Sequence, residues 1–190
     1  MNVYDFDKTI YDGDSTVDFY LYCLKKYPVI YKKIPEVLWY GLLFKTGIIK
    51  KTDFKSIFFK FATLLPDLQG AVADFWSENK KKIKNFYKQT QREDDVIISA
   101  SPTFILDEIC RIQGIKHLYA TNVDLQTGKI IGENCYGEEK VKRFYQAGYD
   151  KDSIDEFYSD SLSDSPLADI SKKAYIVIGE KLISWDEYKK

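Results

Sequence analysis

The sequence predicts an α/β protein: a Rossmann-like core with a doubly wound parallel sheet, an inserted helical-bundle cap and a small β-hairpin. Three observations predict it. After residue 92, short apolar strand segments alternate with helical segments, which is typical of a parallel sheet covered by helices. Between residues 14 and 91 the apolar residues recur at helical spacing over a stretch too long for an ordinary connection. Polar clusters follow three predicted strands, where such sheets bind ligands.

The core elements follow in order along the chain. The predicted strands span residues 2–6, 95–99, 117–120, 154–158, 174–178 and 181–185. Helices are predicted over residues 102–113, with Gly114 as the stop, and over residues 138–147. Between these helices, residues 122–134 predict a β-hairpin that turns at residues 126–128.

The long insertion is predicted to hold about four helices. Asp67 is a candidate N-cap for the last of them, which is expected to run into the lysine-rich stretch at residues 80–88. We therefore expect a catalytic core made of residues 1–13 and 92–190, and a helical cap made of residues 14–91.

Composition excludes several classes of protein. The 190 residues suffice for a well-buried core, and a net charge of -1 provides no general field for nucleic acid, which is not an expected partner. The longest apolar stretch, residues 34–44, is too short to span a bilayer, and the first residues lack the features of a secretion signal. The three isolated cysteines, Cys23, Cys110 and Cys135, favour a reducing, cytoplasmic location.

Charge is distributed unevenly along the chain. Residues 25–60 hold nine lysines and two acidic residues, a local charge of +7, together with many aromatic residues. The pattern is typical of a solvated helical face over a cap core. The alternative is a patch for anionic substrates or lipid surfaces, with peripheral membrane contact. No pattern indicates the oligomeric state.

Acidic residues dominate two of the polar strand ends. Asp5 and Asp7 are separated by one residue, and in an extended strand they would point to the same side. Two carboxylates at such a short separation need a cation between them, and Mg²⁺ prefers carboxylate and carbonyl oxygens. Asp160 and Asp164 follow another predicted strand and supply two further acids. This cluster predicts a magnesium site that bridges to a phosphate.

A phosphate also needs neutral and cationic donors. Ser99 offers a hydroxyl at the end of the neighbouring strand, and Pro102 begins a helix whose N-terminus favours an anion. Lys140, near the start of the next helix, supplies a positive charge. Ser101 is either a phosphate ligand or the N-cap of the helix that Pro102 begins.

These residues resemble the haloacid dehalogenase superfamily of phosphatases. The motifs of that family are an Asp-x-Asp-x-Thr run, a strand-end Ser or Thr, a Lys and an acidic pair, here Asp5-Phe6-Asp7-Lys8-Thr9, Ser99, Lys140, and Asp160 with Asp164. They occur in the family's order and span nearly the whole chain. A helical cap between the first and second motifs resembles the phosphoserine-phosphatase-like branch.

The resemblance implies a role for each matching residue. Asp5 would be the nucleophile that forms an aspartyl phosphate, and Asp7 the general acid and base. Asp5, the backbone carbonyl of Asp7, and Asp160 would hold Mg²⁺, while Asp164 would orient the waters of the metal and pair with Lys140.

The residues expected near the substrate depart from that branch. They are Thr9, which would buttress the first loop, and Asp14, Ala100 and Ser101. Ala100 and Ser101 replace a Gly-Gly turn, and Asp14 replaces a glutamate. Phe61 lies about where the branch has a cap arginine that binds the substrate carboxylate. These differences argue against phosphoserine, and the aromatic, lysine-rich cap is more similar to lipid-phosphate phosphatases of the family.

The sequence thus favours a Mg²⁺-dependent phosphomonoester hydrolase. Its substrate is expected to be a small phosphorylated metabolite or a lipid phosphate. Two alternatives remain open: a phosphotransferase that passes the group from Asp5 to an acceptor other than water, and a non-catalytic phosphate-binding module of the same fold.

Overall fold

A six-stranded sheet forms the centre of the molecule, in a computed structural model that describes all residues from Met1 to Lys190. The strands are β1 (Asn2–Tyr4), β2 (Val96–Pro102), β3 (His117–Thr121), β4 (Glu156–Ser159), β5 (Lys173–Ile178) and β6 (Lys181–Ser184). Their order is β3-β2-β1-β4-β5-β6, and all neighbours are parallel except β5 and β6. The predicted fold class is therefore confirmed.

The strand order reverses at β1, which lies between β2 and β4. Tyr4 of β1 pairs with Ile97 on one side and with Tyr158 on the other. A reversal of this kind opens a crevice beyond the carboxyl ends of the strands, and ligands bind there in open α/β sheets. The residues that follow β1, β2 and β4 therefore meet at one edge of the sheet.

Nine α-helices accompany the sheet. They are α1 (Ser15–Lys26), α2 (Ile34–Lys45), α3 (Lys51–Phe58), α4 (Leu68–Asn79), α5 (Asn85–Thr90), α6 (Thr103–Gln113), α7 (Glu138–Gln146), α8 (Ser165–Ala168) and α9 (Trp185–Tyr188). Short 3₁₀ turns occupy Pro28–Lys33, Phe59–Leu64, Lys80–Lys82, Lys151–Ser153 and Leu162–Asp164. No helix combines the length and the hydrophobicity that crossing a membrane requires.

The insertion differs in detail from the sequence prediction. It contains five α-helices, α1 to α5, where about four were expected. Asp67 is the predicted N-cap of α4, since its side chain accepts the backbone N–H of Gly70 at 2.8 Å. However, α4 ends at Asn79 and does not continue through the lysine-rich stretch. The chain there pairs with the first loop, where Lys84 N–H donates to Ile10 O at 2.8 Å.

The predicted β-hairpin is reduced to a turn closed by one bridge, between Val123 and Ile130. Gly128 adopts a φ of +74°, and a Cβ on it would lie 2.7 Å from the backbone of Lys60. The Ile130 N–H donates to Ser56 Oγ at 3.0 Å. The backbone of this loop thus packs on the cap. These contacts take the place of the cross-strand hydrogen bonds that a longer hairpin would form.

Two hydrophobic clusters cover the two faces of the sheet. Adjacent side chains of β1 point to opposite faces, so Tyr4 belongs to the larger cluster and Val3 to the smaller. The larger cluster holds 25 buried residues and continues from the sheet into the insertion. Phe86 of α5, which lies in the expected cap segment, packs on Tyr158 of β4 at a ring separation of 5.9 Å. The division into a core of residues 1–13 and 92–190 and a cap of residues 14–91 remains a prediction, because the larger hydrophobic cluster contains residues of both.

Candidate active site

A cavity of about 490 Å³ lies at the carboxyl ends of β1, β2 and β4. Nine of the residues expected at the site line it: Asp5, Asp7, Asp14, Ser99, Ala100, Ser101, Lys140, Asp160 and Asp164. Thr9 does not, because it is fully buried beneath the first loop, and its hydroxyl has no hydrogen-bond partner. Its position fits the expected buttress of the loop but not a contact with substrate.

Lys140 joins two carboxylates in the floor of the cavity. Its Nζ lies 2.7 Å from Asp5 Oδ1 and 2.7 Å from Asp164 Oδ2. The side chain is only 2% exposed, and a buried ammonium is tolerable only when it is paired in this way. Burial disfavours its charged form, but the two carboxylates outweigh burial and raise the pKa of Lys140. Lys140 is therefore a fixed positive charge beside Asp5.

Asp5 is close to fully buried, and its backbone is fixed by the bond from its N–H to Tyr158 O at 2.9 Å. Burial is the largest influence on its carboxyl group and raises the pKa, while the ammonium of Lys140 offsets part of this effect. The neighbouring carboxylate of Asp164 raises it further. An additional positive charge near Asp5 would therefore favour its ionised form.

The carboxylate of Asp7 has no ammonium partner like that of Asp5 and instead accepts hydrogen bonds from two neutral donors. Its Oδ1 accepts the backbone N–H of Ser15 at 2.7 Å, and its Oδ2 accepts the hydroxyl of Ser101. Burial raises the pKa of Asp7 to about 6, and the carboxylate of Asp14 acts in the same direction, while the two donors oppose it. A carboxyl group with a pKa near neutrality can both give and take a proton.

Ser15 and Ser101 reach Asp7 because of local backbone structure. Asp14 is the N-cap of α1, where its Oδ1 accepts the N–H of Val17 at 3.0 Å, and this cap presents the Ser15 N–H to Asp7. The hydroxyl of Ser101 also lies 2.7 Å from Thr16 Oγ1. The N-cap alternative for Ser101 is wrong, because Pro102 occupies that position.

The irregular end of β2, residues 99–101, is held from both sides. Ser99 is buried, and its Oγ accepts the N–H of Ser101 at 3.1 Å. The carbonyl of Ala100 accepts bonds from Thr121 Oγ1 at 3.0 Å and from Lys55 Nζ at 2.8 Å. Residues 99–101 are therefore held in place beside Asp5 and Asp7.

The acidic group beside Asp5 fits a divalent cation. Asp164 Oδ1 is buried and has no hydrogen-bond partner, although Oδ2 accepts from Lys140 and from Ser159. Burial raises the pKa of Asp160, and Lys8 only partly compensates. No three acidic side chains come together as a ready cluster. A cation here would take the remaining ligands from backbone carbonyls and water, as Mg²⁺ commonly does.

Sequence reasoning missed two lysines of the cap. Lys51 and Lys55 are four residues apart on α3, and both line the cavity. Burial lowers the pKa of Lys55 to about 8, and its Nζ bonds Asn134 Oδ1 at 3.0 Å as well as Ala100 O. Lys51 lies over the ring of Tyr136 at 3.6 Å from its centroid. Their spacing on one helix face was the available signal.

The cap also supplies an apolar wall. Val17, Val37, Phe54 and Phe58 line the cavity together with the carboxylates. Phe61, which stands near the expected cap arginine, is fully buried in the larger cluster and does not reach the cavity. The lysines that the insertion contributes to the cavity lining are Lys51 and Lys55.

Comparisons with known proteins agree with this architecture. The family model of haloacid dehalogenase-like hydrolases matches residues 3–169, and the chain belongs to that family. A Mycobacterium tuberculosis protein named "Probable phosphatase" is 34% identical over 91 residues, which is 44% of this chain and 31% of that protein. The chain thus matches less than a third of the length of this relative.

Solved structures show the same fold. A Bordetella pertussis protein of unknown function aligns over 92% of this chain and 87% of its own, with a TM-score of 0.74 and 19% identity. A phosphoserine phosphohydrolase-like protein of Francisella tularensis aligns over 95% of this chain and 88% of its own, with a TM-score of 0.54 and 17% identity. The resemblance inferred from the motifs is therefore confirmed.

Proposed function

We propose that this protein is a phosphatase that hydrolyses phosphate monoesters through an aspartyl phosphate on Asp5. One observation carries the proposal: two buried carboxylates, one residue apart in sequence, lie in contrasting environments. Asp5 is paired with the ammonium of Lys140, which opposes the effect of burial on its pKa, while Asp7 is held by two neutral donors, the Ser15 N–H and the Ser101 hydroxyl. Such a division between neighbouring acids is typical of a nucleophile and an acid/base.

The reaction divides into two displacements. In the first, an oxygen of Asp5 attacks phosphorus, the ester bond breaks, and the proton of Asp7 passes to the leaving oxygen. In the second, Asp7 takes a proton from water, and that water attacks the phosphorus of the aspartyl phosphate. Phosphate leaves, and the carboxylate of Asp5 is restored. General acid–base catalysis of this kind contributes roughly 10²–10⁴-fold in rate.

The negative charge on the phosphoryl group during its transfer would be stabilised by the side chains and backbone groups around it. Ser99 and the loop at Ala100 lie on one side, and Lys140 lies beside the attacking oxygen. We propose that Asp5, the carbonyl of Asp7, and Asp160 hold Mg²⁺, with Asp164 beside them. Bound magnesium would neutralise the surplus acidic charge and the charge on the phosphate.

The lining of the cavity suggests the class of substrate. Val17, Val37, Phe54 and Phe58 offer contact to an apolar group, and Lys51 and Lys55 offer contact to an anion. These side chains favour a phosphate ester that carries an apolar portion, which includes lipid phosphates as well as small metabolites. Transfer of the phosphoryl group to an acceptor other than water is the second candidate reaction.

The first test is an assay with p-nitrophenyl phosphate in Mg²⁺ and in excess EDTA, on wild-type protein and Asp5→Asn. Wild-type turnover should depend on the metal, and the variant should lose at least about 10³-fold in kcat. Asp186→Asn is a matched control, because Asp186 is exposed and distant from the cavity. Turnover by Asp5→Asn close to the wild-type rate would exclude the aspartyl phosphate.

A further inference from the structure

Helix α2 presents an unusual surface to solvent. None of its twelve residues is fully buried. Leu38, Trp39 and Leu42 are 68%, 60% and 53% exposed, and at 100° per residue they fall within one stripe of the helix. Tyr31 before the helix and Ile48 after it are also exposed. We call these five residues the α2 surface. Neighbouring exposed apolar side chains of this size mark an interaction site.

The helix is held to the protein by its other side. The ring of Phe44 stacks on Phe54 of α3 at 5.4 Å, and Gly41 also faces the ring of Phe54. Glu36 forms ion pairs with Lys33 at 2.9 Å and with Lys60 at 2.8 Å. The exposed stripe is therefore presented by an anchored helix.

Exposed lysines without ion-pair partners lie close to these residues in the chain. Four exposed lysines of residues 25–50 form no ion pair: Lys25, Lys32, Lys45 and Lys50. The acidic residues of the region are mostly engaged, since Glu36 is paired twice and Asp53 accepts the N–H of Lys50 at the start of α3. The α2 surface thus combines exposed apolar side chains with a surplus of positive charge.

We propose that the α2 surface docks on an anionic lipid bilayer. Leu38, Trp39 and Leu42 would enter the boundary between headgroups and acyl chains, and the lysines would contact anionic headgroups. A helix of twelve residues is about 18 Å long, too short to cross a bilayer, so it would lie along the interface. Tryptophan is a favoured residue at that depth.

The positive charge of the α2 surface favours binding to an anionic bilayer over binding to a second copy of the chain. A symmetric dimer through this surface would bring the same patch of each copy together, and with it the unpaired Lys32, Lys45 and Lys50 of both copies. Like charges placed opposite each other oppose association. An anionic bilayer instead complements both the apolar stripe and the lysines.

Docking would also orient the cavity. Val37 belongs to α2 and lines the cavity, so the helix that meets the bilayer forms part of its wall. A substrate with an apolar portion could then pass directly from the interface. The docking itself does not depend on the phosphatase activity, and it can be measured without it.

The test is flotation with vesicles of phosphatidylcholine alone and of phosphatidylcholine mixed equally with phosphatidylglycerol. Wild-type protein should bind the anionic vesicles at least about tenfold better than the neutral ones, and added salt should weaken binding. The fluorescence of Trp39 should shift to shorter wavelength on binding, measured as a difference from Trp39→Phe.

Two variants separate the contributions. The apolar variant carries three substitutions, Leu38→Gln, Trp39→Gln and Leu42→Gln, and should bind vesicles about tenfold or more weakly. The charge variant carries Lys25→Gln, Lys32→Gln and Lys45→Gln and should lose the preference for anionic vesicles. The control replaces Ile131, Ile178 and Leu182, which are exposed elsewhere, with glutamine and should bind as wild type. None of these residues lines the cavity, so turnover of p-nitrophenyl phosphate without vesicles should not change.

Two outcomes would overturn the proposal. The first is binding that neither variant weakens while circular dichroism shows all of them folded. The second is a concentration-dependent dimer in sedimentation analysis that the apolar variant abolishes, with no binding to vesicles.

Discussion

The backbone N–H of Ser15 donates a hydrogen bond to Asp7 Oδ1 over 2.7 Å. The first residue of α1 thus holds the proposed acid/base, and the bond depends on how that helix begins. Asp14 fixes the helix start by capping Val17. The start of α1, where the chain enters the insertion, therefore also positions Asp7 at the end of β1.

Removal of this cap should affect both stability and turnover. Asp14→Ala should lower the free energy of unfolding by about 1 kcal/mol and also reduce kcat, because the Ser15 N–H loses its fixed direction. Asp67→Ala is the matched control, since Asp67 caps α4 in the same way through Gly70. It should cost similar stability in urea unfolding and leave kcat unchanged. Equal loss of kcat in both variants would assign the effect to stability alone.

The hydroxyl of Ser101 should set the protonation of Asp7. It donates to the carboxylate, so its removal in Ser101→Ala disfavours the ionised form and raises the pKa above its value of about 6. The limb of the pH–rate profile that reports Asp7 should move to higher pH by about one unit. Ser163→Ala, which lines the cavity but bonds to Ser161, should leave that limb in place.

Lys55 should bind the anionic substrate only while it is charged. Its pKa is lowered to about 8, mainly by burial, so the ammonium predominates below that pH and is lost as the pH rises through it. For wild type, kcat/KM should fall above about pH 8, mainly through KM. Lys55→Gln should show a raised KM at pH 7 and no such fall. Lys181→Gln, on an exposed strand, serves as the control, and a wild-type profile from Lys55→Gln would contradict the assignment.

Asp95 should make the folded state less stable as the pH rises. Burial raises its pKa to about 6 from 3.8, so folding favours the protonated form. The stabilisation is complete below about pH 4 and is lost as the pH rises through about 6. Asp95→Asn keeps an oxygen for the Arg92 N–H and should be more stable than wild type at pH 7.5, by about 1–2 kcal/mol. Urea unfolding at pH 4.5 and 7.5 measures this, and parallel changes in both proteins would refute it.

Much of the site could be predicted because it follows local rules. Asp5 and Asp160 come directly after β1 and β4, Ser99 lies towards the end of β2, and the carboxyl ends of parallel strands meet at one edge. The fold class followed from the same alternation. Lys140 was placed by its position at the start of a helix and by the family's motif order.

The remaining contacts depend on tertiary packing that no local pattern records. Lys55 reaches Ala100 only because α3 packs near the end of β2, and Asn134 reaches Lys55 only because the loop that holds Asn134 packs on the insertion. The end of α4 was missed for a similar reason. Lysines favour a helix, but Lys82 and Lys84 form backbone bonds with the first loop, and those bonds stop the helix.

Lys55 links the position of α3 to the conformation of residues 99–101. Its ammonium bonds Ala100 O and Asn134 Oδ1, so moving α3 away from these residues would break both bonds and leave a buried cation without partners. A ligand that fixes residues 99–101 should therefore also fix α3, and by reciprocity a change that holds α3 in place should strengthen binding of that ligand.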